Sequence, residues 1–428
     1  MKTFNLCVIG AGVFSRRFIP LFQAHPAVAQ LSLAEALPGR LAEVASEFGI
    51  GRVFVSATEA IAAKDVDAIA IFTQRHLHAP LALAGLAAGK HVYCAVPAAQ
   101  ALDELAALTD AVRRTGLTYM LGETSYYYPS NIYCRHRWRR GDFGLFVYGE
   151  GEYMHDMEHG FYGAFQHSGG DGWKRVAGFP PMLYPTHSAS MIIGVTGSKF
   201  TQVSALGWRD RHDDGIFREG ANEWNNVFSN ETALLRTADG GMARLNEFRR
   251  VGYGRGNGVR VTLFGTKANF EEQGDSLIWA THDRRLFPLG EFLQCGRGPA
   301  GGADNGTGLR TGEQEDFFSY SSMVHPNERL PESFRTLPNG HFGSHQFLVD
   351  DFCRAVTTGL LPPNHAWRAA AYNAPGIVAH ESALKEGAVL PVPDFGDAPA
   401  SAGLLEDHMP LISSRALKHF DESAGTPA

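Results

Sequence analysis

Tyr184 and His187 stand three residues apart in the stretch MLYPTHSAS, residues 182–190. At a helix start that spacing puts a phenol and an imidazole on one face. An imidazole titrates near neutrality unaided. A phenol does so only beside a cation or a hydrogen-bond donor. Together they could take a proton from a hydroxyl group and return it. His187 could equally be a residue that opens the following helix, and a histidine taken alone favours that plainer role.

A second cluster lies near the N-terminus. In VIGAGVFS, Gly10 and Gly12 fall between an apolar run and a helical pattern, with Val13 and Phe14 completing the turn. Gly10 permits the tight turn, and Gly12 lets a backbone approach a pyrophosphate at a helix N-terminus. The third small position is Ser15, where glycine or alanine is usual. Glu35 follows Gly12 by 23 positions, at the end of the second strand. A carboxylate there accepts from a ribose diol and repels a 2′-phosphate, so NAD is expected over NADP. Thr73, Gln74, His76 and His78 in TQRHLHAP occupy the loop after the fourth strand, where a nicotinamide would lie. His78 also suits the start of the next helix. Ala95 and Pro97 end the fifth strand, and Glu123 ends the sixth, near the expected carboxamide. A hydrogen bond to backbone is an equal alternative for Glu123. His155 in EYMHDM could face a pocket from the second half. No metal site is expected.

These residues need elements to hold them. Up to residue 121, NLCVIG, LSLAEA, RVFVS, DAIAIFT, HVYCAVP and TYMLGE read as strands separated by helical patterns. That alternation predicts a doubly wound parallel sheet, and near-continuous apolar strands suit one covered on both faces. TEAIAAKD predicts a helix capped by Thr58. After about residue 145 the period changes to two, and TADGG marks a hairpin. The fold class is therefore α/β: a Rossmann-type sheet followed by an α/β domain with an open, mostly antiparallel sheet. The expected division is 1–128, 129–395 and an extended tail over 396–428. Residues 296–345 are rich in Gly, Pro and Asn and read as a functional cover or a poorly ordered loop.

Bulk properties narrow the class. The 428 residues carry a net charge of −7 with 19% charged residues, which gives no footprint for nucleic acid. No apolar run is long enough for a membrane helix. Five scattered cysteines form no C-x-x-C pair, so a reduced, cytoplasmic protein is the default.

VIGAGVFS, the run from DAIAIFTQRHLHAP to KHVYCAVPAA, and PGIVAHESALKEG together resemble the Gfo/Idh/MocA family of glucose–fructose oxidoreductase and inositol dehydrogenase relatives. The resemblance implies NAD, a sugar or glycoside substrate, and a homo-oligomer, dimer or tetramer. It also implies that His341 and His345 in HFGSH lie near substrate. The family usually reads Glu-Lys-Pro at the end of the fifth strand; this chain reads Ala95-Val96-Pro97 and lacks that lysine. AVPAA, GETSYYYP, GEGEYMHD and YPTH are similar to the NAD-dependent α-N-acetylgalactosaminidase branch of glycoside hydrolases. That likeness implies catalytic roles for Tyr127, Tyr184 and His187. It implies redox-assisted glycoside cleavage, in which a transient ketone acidifies the neighbouring C–H and NAD is recycled. The branch glutamate falls on Ala95, which leaves the sugar open. Plain NAD-dependent sugar dehydrogenation is the alternative, and a non-catalytic dinucleotide-binding regulator a further one.

Overall fold

Six short apolar runs pair in parallel: β1 (Phe4–Ile9), β2 (Val28–Ala34), β3 (Arg52–Phe54), β4 (Ala68–Ile71), β5 (His91–Cys94) and β6 (Tyr119–Leu121). In the computed structural model, which describes residues 2–252, 258–273, 276–293, 295 and 321–423, their order is β3-β2-β1-β4-β5-β6. Leu6, Val8, Ile69, Ile71 and Val92 are fully buried because helices cover both faces. The order reverses between β1 and β4, and a crevice opens there at the carboxyl ends of the strands. The helix after β3 spans Ala57–Ala62, and its cap is Ser56, whose Oγ accepts from the Glu59 amide at 3.2 Å. Thr58 lies inside the first turn, so the expected cap is displaced by two residues.

The second half builds nine strands: β7 (Phe146–Met154), β8 (Phe200–Arg209), β9 (Phe228–Thr237), β10 (Met242–Phe248), β11 (Gly258–Gly265), β12 (Ala268–Gln273), β13 (Ser276–Thr281), β14 (Leu286–Pro288) and β15 (Leu390–Pro391). Their order is β14-β13-β12-β11-β7-β10-β9-β8-β15. Only β7 and β10 run parallel; every other neighbouring pair is antiparallel. The helix Thr186–Thr196 lies against β7. A Cβ on Gly151 would stand 2.0 Å from the Ser188 carbonyl oxygen, so glycine is required for this close approach. That contact fixes His187 relative to the strand carrying Tyr153 and His155.

Two later helices tie the halves together. His345–Thr358 packs on the first sheet, where Phe352 meets Phe4, Phe22 and Tyr93. Ala366–Leu384 reaches across through Asn373, whose Oδ1 accepts from the Ala98 amide at 2.8 Å. The chain thus returns to the N-terminal layer after residue 343. Residues 296–320 of the expected cover lie outside the described residues. Residues 321–345 pack inward, with Val324, His325 and Phe334 buried. The expected extended tail instead contains a helix at Ser414–Ser423, and Glu406 pairs with Arg368 at 3.2 Å. A run read as polar tail is held because it satisfies buried charge. No described helix is long and apolar enough to cross a membrane.

Candidate active site

The glycine turn leaves β1 with Gly10 at φ 97°. A Cβ there would lie 2.7 Å from the Phe72 carbonyl oxygen, so no other residue fits. Gly12 has nothing within 4 Å of where its Cβ would be. Nothing inside the chain demands glycine at that point, and the open space suits a pyrophosphate. Val13 and Phe14 follow, half-buried. Glu35 ends β2, and its two oxygens accept from the Ala11 amide at 2.9 Å and the Leu37 amide at 3.0 Å. Each oxygen keeps a lone pair for a ribose hydroxyl. The residues present therefore fit NAD.

Beyond the turn the expectations part. Thr73 is half-buried and His76 exposed on the loop after β4. His78 does not offer its ring to a cofactor. Its Nδ1 meets the Pro97 carbonyl at 2.8 Å and its Nε2 the Thr73 carbonyl at 3.1 Å, and burial lowers its pKa to about 4. A neutral ring braces the loop against the turn after Ala95, which is itself buried beside Val96.

Glu123 has a role the sequence did not show. Its Oε1 accepts from His187 Nδ1 at 2.6 Å and from the Ser125 amide at 2.9 Å. Burial pushes this carboxyl up, but the His187 ring and the Ser125 hydroxyl outweigh it and hold it below the ordinary range. Its Oε2 is buried without a partner among the described residues. Sixty-four positions separate the two residues. A carboxylate on one imidazole nitrogen fixes the tautomer and aims the other, Nε2.

The His187 ring stands edge-on to Tyr153 and Tyr184, with centroids 4.9 and 5.4 Å away. Tyr153 and Tyr184 stack at 5.9 Å. Burial raises the Tyr184 hydroxyl to about 12 despite the Arg75 guanidinium nearby. Tyr153, which the sequence reading passed over, donates to His155 Nδ1 at 2.8 Å. His155 Nε2 contacts the His159 carbonyl at 2.8 Å, and burial lowers that ring to about 4. Both ring nitrogens are thereby used, so His155 acts on Tyr153 and not on substrate. The missed signal was strand alternation: Gly149, Gly151 and Tyr153 share the inward phase of β7.

Tyr127 is not in this cluster. Its hydroxyl donates to Asp351 and accepts from Arg329 at 2.9 Å, while its ring stacks on Phe347 at 5.1 Å. The next residue, Tyr128, faces the site instead, where Glu123 and Tyr184 add to the burial that raises its hydroxyl. The turn Thr124–Tyr127 ahead of Pro129 sets which tyrosine points where. His345 is also displaced from expectation. It is buried against Phe18 at 4.4 Å and holds His341 Nδ1 at 2.7 Å. Both rings stand edge-on to Phe14, at 5.7 Å for His345 and 5.6 Å for His341, but His345 is buried and His341 half-buried at the rim.

A parallel sheet in this strand order, a glycine turn with open space at Gly12, and a ribose-placed carboxylate define an NAD-binding Rossmann protein. Residues 4–123 match the Gfo/Idh/MocA family model, described as an oxidoreductase family with an NAD-binding Rossmann fold. It is 24% identical over 425 residues to a glycosyl hydrolase family 109 protein of Streptomyces filamentosus, covering 92% of this chain and 78% of that protein. A levoglucosan dehydrogenase of Pseudarthrobacter phenanthrenivorans is 27% identical over 164 residues, 36% of this chain and 42% of that one. The structure of a levoglucosan dehydrogenase with NADH and levoglucosan superposes with a TM-score of 0.68 at 22% identity, covering 92% of this chain and 100% of that one.

Proposed function

We propose that this chain oxidises a ring carbon of a sugar with NAD, and that His187 is the acid/base on the hydroxyl at that carbon. The observation behind this is the pinning of His187 Nδ1 by Glu123 at 2.6 Å, with Nε2 left free beside Tyr153 and Tyr184. When bound, NAD supplies the hydride acceptor. Gly10 and Gly12 would take its pyrophosphate and Glu35 its adenosine ribose. His341 would sit at the rim beside Phe14. His187 would accept the hydroxyl proton on Nε2 while Glu123 stabilises the imidazolium. Tyr184 and Tyr153 would orient the sugar and shield it from water.

A second reading, redox-assisted glycoside cleavage, is favoured by one specific observation. Ala95, Val96 and Pro97 supply no basic side chain, and the relatives spanning most of the chain carry the glycosyl hydrolase name. Absorbance at 340 nm with free sugars and NAD tests the first reading. Release of nitrophenol from nitrophenyl glycosides without net NADH identifies the second. Neither signal across a panel of hexoses, hexuronates and their glycosides ends both.

The exposed Leu206, Trp208, Leu234 and Met242 on the nine-stranded sheet support assembly as a dimer or tetramer. Five free cysteines support a reducing, cytoplasmic location.

A further inference from the structure

We propose that the sugar carries a carboxylate and that Arg75 selects it; this rests on the reading of the site as a sugar oxidoreductase. Arg75 opens the short turn Arg75–Leu77, directly after Thr73 and Gln74. Its guanidinium lies over three ring faces, 4.9 Å from Tyr184, 5.1 Å from Phe165 and 5.2 Å from Phe179. No carboxylate pairs with it among the described residues. Burial among these rings disfavours its charged form. A desolvated cation without a counter-ion is costly, and ring faces offset only part of that cost.

The surroundings say what would complete it. Arg75 shares a small cavity with Met157, Phe161, Phe165, Phe179, Tyr184 and Arg249. Arg249 already holds Glu247 at 2.9 Å. Arg75 has no such carboxylate beside it, and a single guanidinium matches a monoanion. One of its N–H groups meets the Tyr184 hydroxyl, and no carboxylate takes the others among the described residues. A planar fork of donors fits a carboxylate through two parallel hydrogen bonds. Tyr184 touches both Arg75 and His187, so an anion at Arg75 and a hydroxyl at His187 can belong to one sugar ring.

Calorimetric titration of the NADH-loaded full-length protein tests this with matched pairs: glucuronate and glucose, galacturonate and galactose, mannuronate and mannose. At least one hexuronate should bind tenfold or more tightly than its neutral partner. Arg75→Met should reduce that acid-to-neutral ratio by about 10²-fold, the scale of a buried charge pair losing one member. Arg75→Lys should keep part of it, and NADH fluorescence checks that both variants fold. Absence of any hexuronate preference in the wild type overturns the proposal, as does a ratio that Arg75→Met leaves intact. NAD-linked oxidation of neutral hexoses without that preference sinks this proposal and keeps the oxidoreductase reading. Arg75-dependent hexuronate binding, with no sugar in the panel oxidised or cleaved, sinks that reading and keeps this one.

Discussion

Two buried polar networks lie on either side of the Tyr127–Tyr128 peptide, and they are built from the same residue types. Around Tyr127, Arg329 pairs with Asp351 and with Asp350 at 3.2 Å, and Arg354 reaches Asp350 at 2.8 Å. His25 closes that network 3.3 Å from Asp350. Two cations meet two carboxylates, and the Tyr127 hydroxyl is used as both donor and acceptor. Around Tyr128, the His187 pair leaves Glu123 Oε2 without a partner, and Arg75 meets ring faces and the Tyr184 hydroxyl but no carboxylate among the described residues. Each carboxylate around Tyr127 has a cation, and Arg329 Nε is the one atom of that set left buried without a partner among the described residues, so this network reads as scaffold. The one left incomplete is where substrate would finish the set.

Substitutions can break this distinction. The largest effect should come from His187→Ala, which should lower turnover by about 10²–10⁴-fold with NAD affinity nearly unchanged. Steady-state kinetics and NADH fluorescence on one preparation check it, and an equal loss of both would place His187 in the scaffold. Asp351→Ala should do the reverse. It leaves buried Arg329 with only Asp350, which Arg354 also claims, and should cost about 3–5 kcal/mol of stability, read by urea unfolding. Turnover per folded molecule should hold, and a collapse of kcat at constant stability would erase the contrast.

A smaller effect concerns pH. Burial pushes Glu247 up to about 7, against the pull of Arg249 and Ser188. A carboxyl raised in the folded state contributes stability at low pH that is lost as pH rises from the ordinary carboxylate range through about 7. Glu247→Gln should therefore flatten the decline in Tm between pH 5 and pH 8. Parallel wild-type and variant melting curves would refute this assignment. The smallest effect should be that of Glu35→Ser, which should narrow the preference for NAD over NADP by about tenfold or less. An unchanged ratio of Kd values would show that Glu35 serves only the Ala11 and Leu37 amides.

Much of the N-terminal half was legible because its signals are local. Each parallel strand is an apolar run of four to seven residues or shorter, and Gly10 sits where only glycine fits beneath Phe72. The closeness of Tyr184 and His187 was legible from their spacing, although the helix begins at Thr186 and Tyr184 precedes it. The family resemblance pointed to Tyr127, but Tyr126, Tyr127 and Tyr128 are adjacent residues of one type that differ only in direction. His155 and His345 depart from expectation because each ring is claimed by a neighbour across a turn, whereas His78 opens the helix His78–Ala87, as its alternative reading held.

By itself, then, the sequence determined what neighbours in the chain can enforce: the glycine turn, the alternation of strand and helix, and the phenol–imidazole face. Tertiary structure alone decided that Glu123 meets His187 across 64 positions, that Tyr128 and not Tyr127 looks into the site, and that Arg75 ends among Phe165, Phe179 and Tyr184. The reason is physical. Chain geometry fixes periodicity and turns over a few residues, whereas partners for a buried charge are set by packing two sheets and the helices between them, which no short window contains.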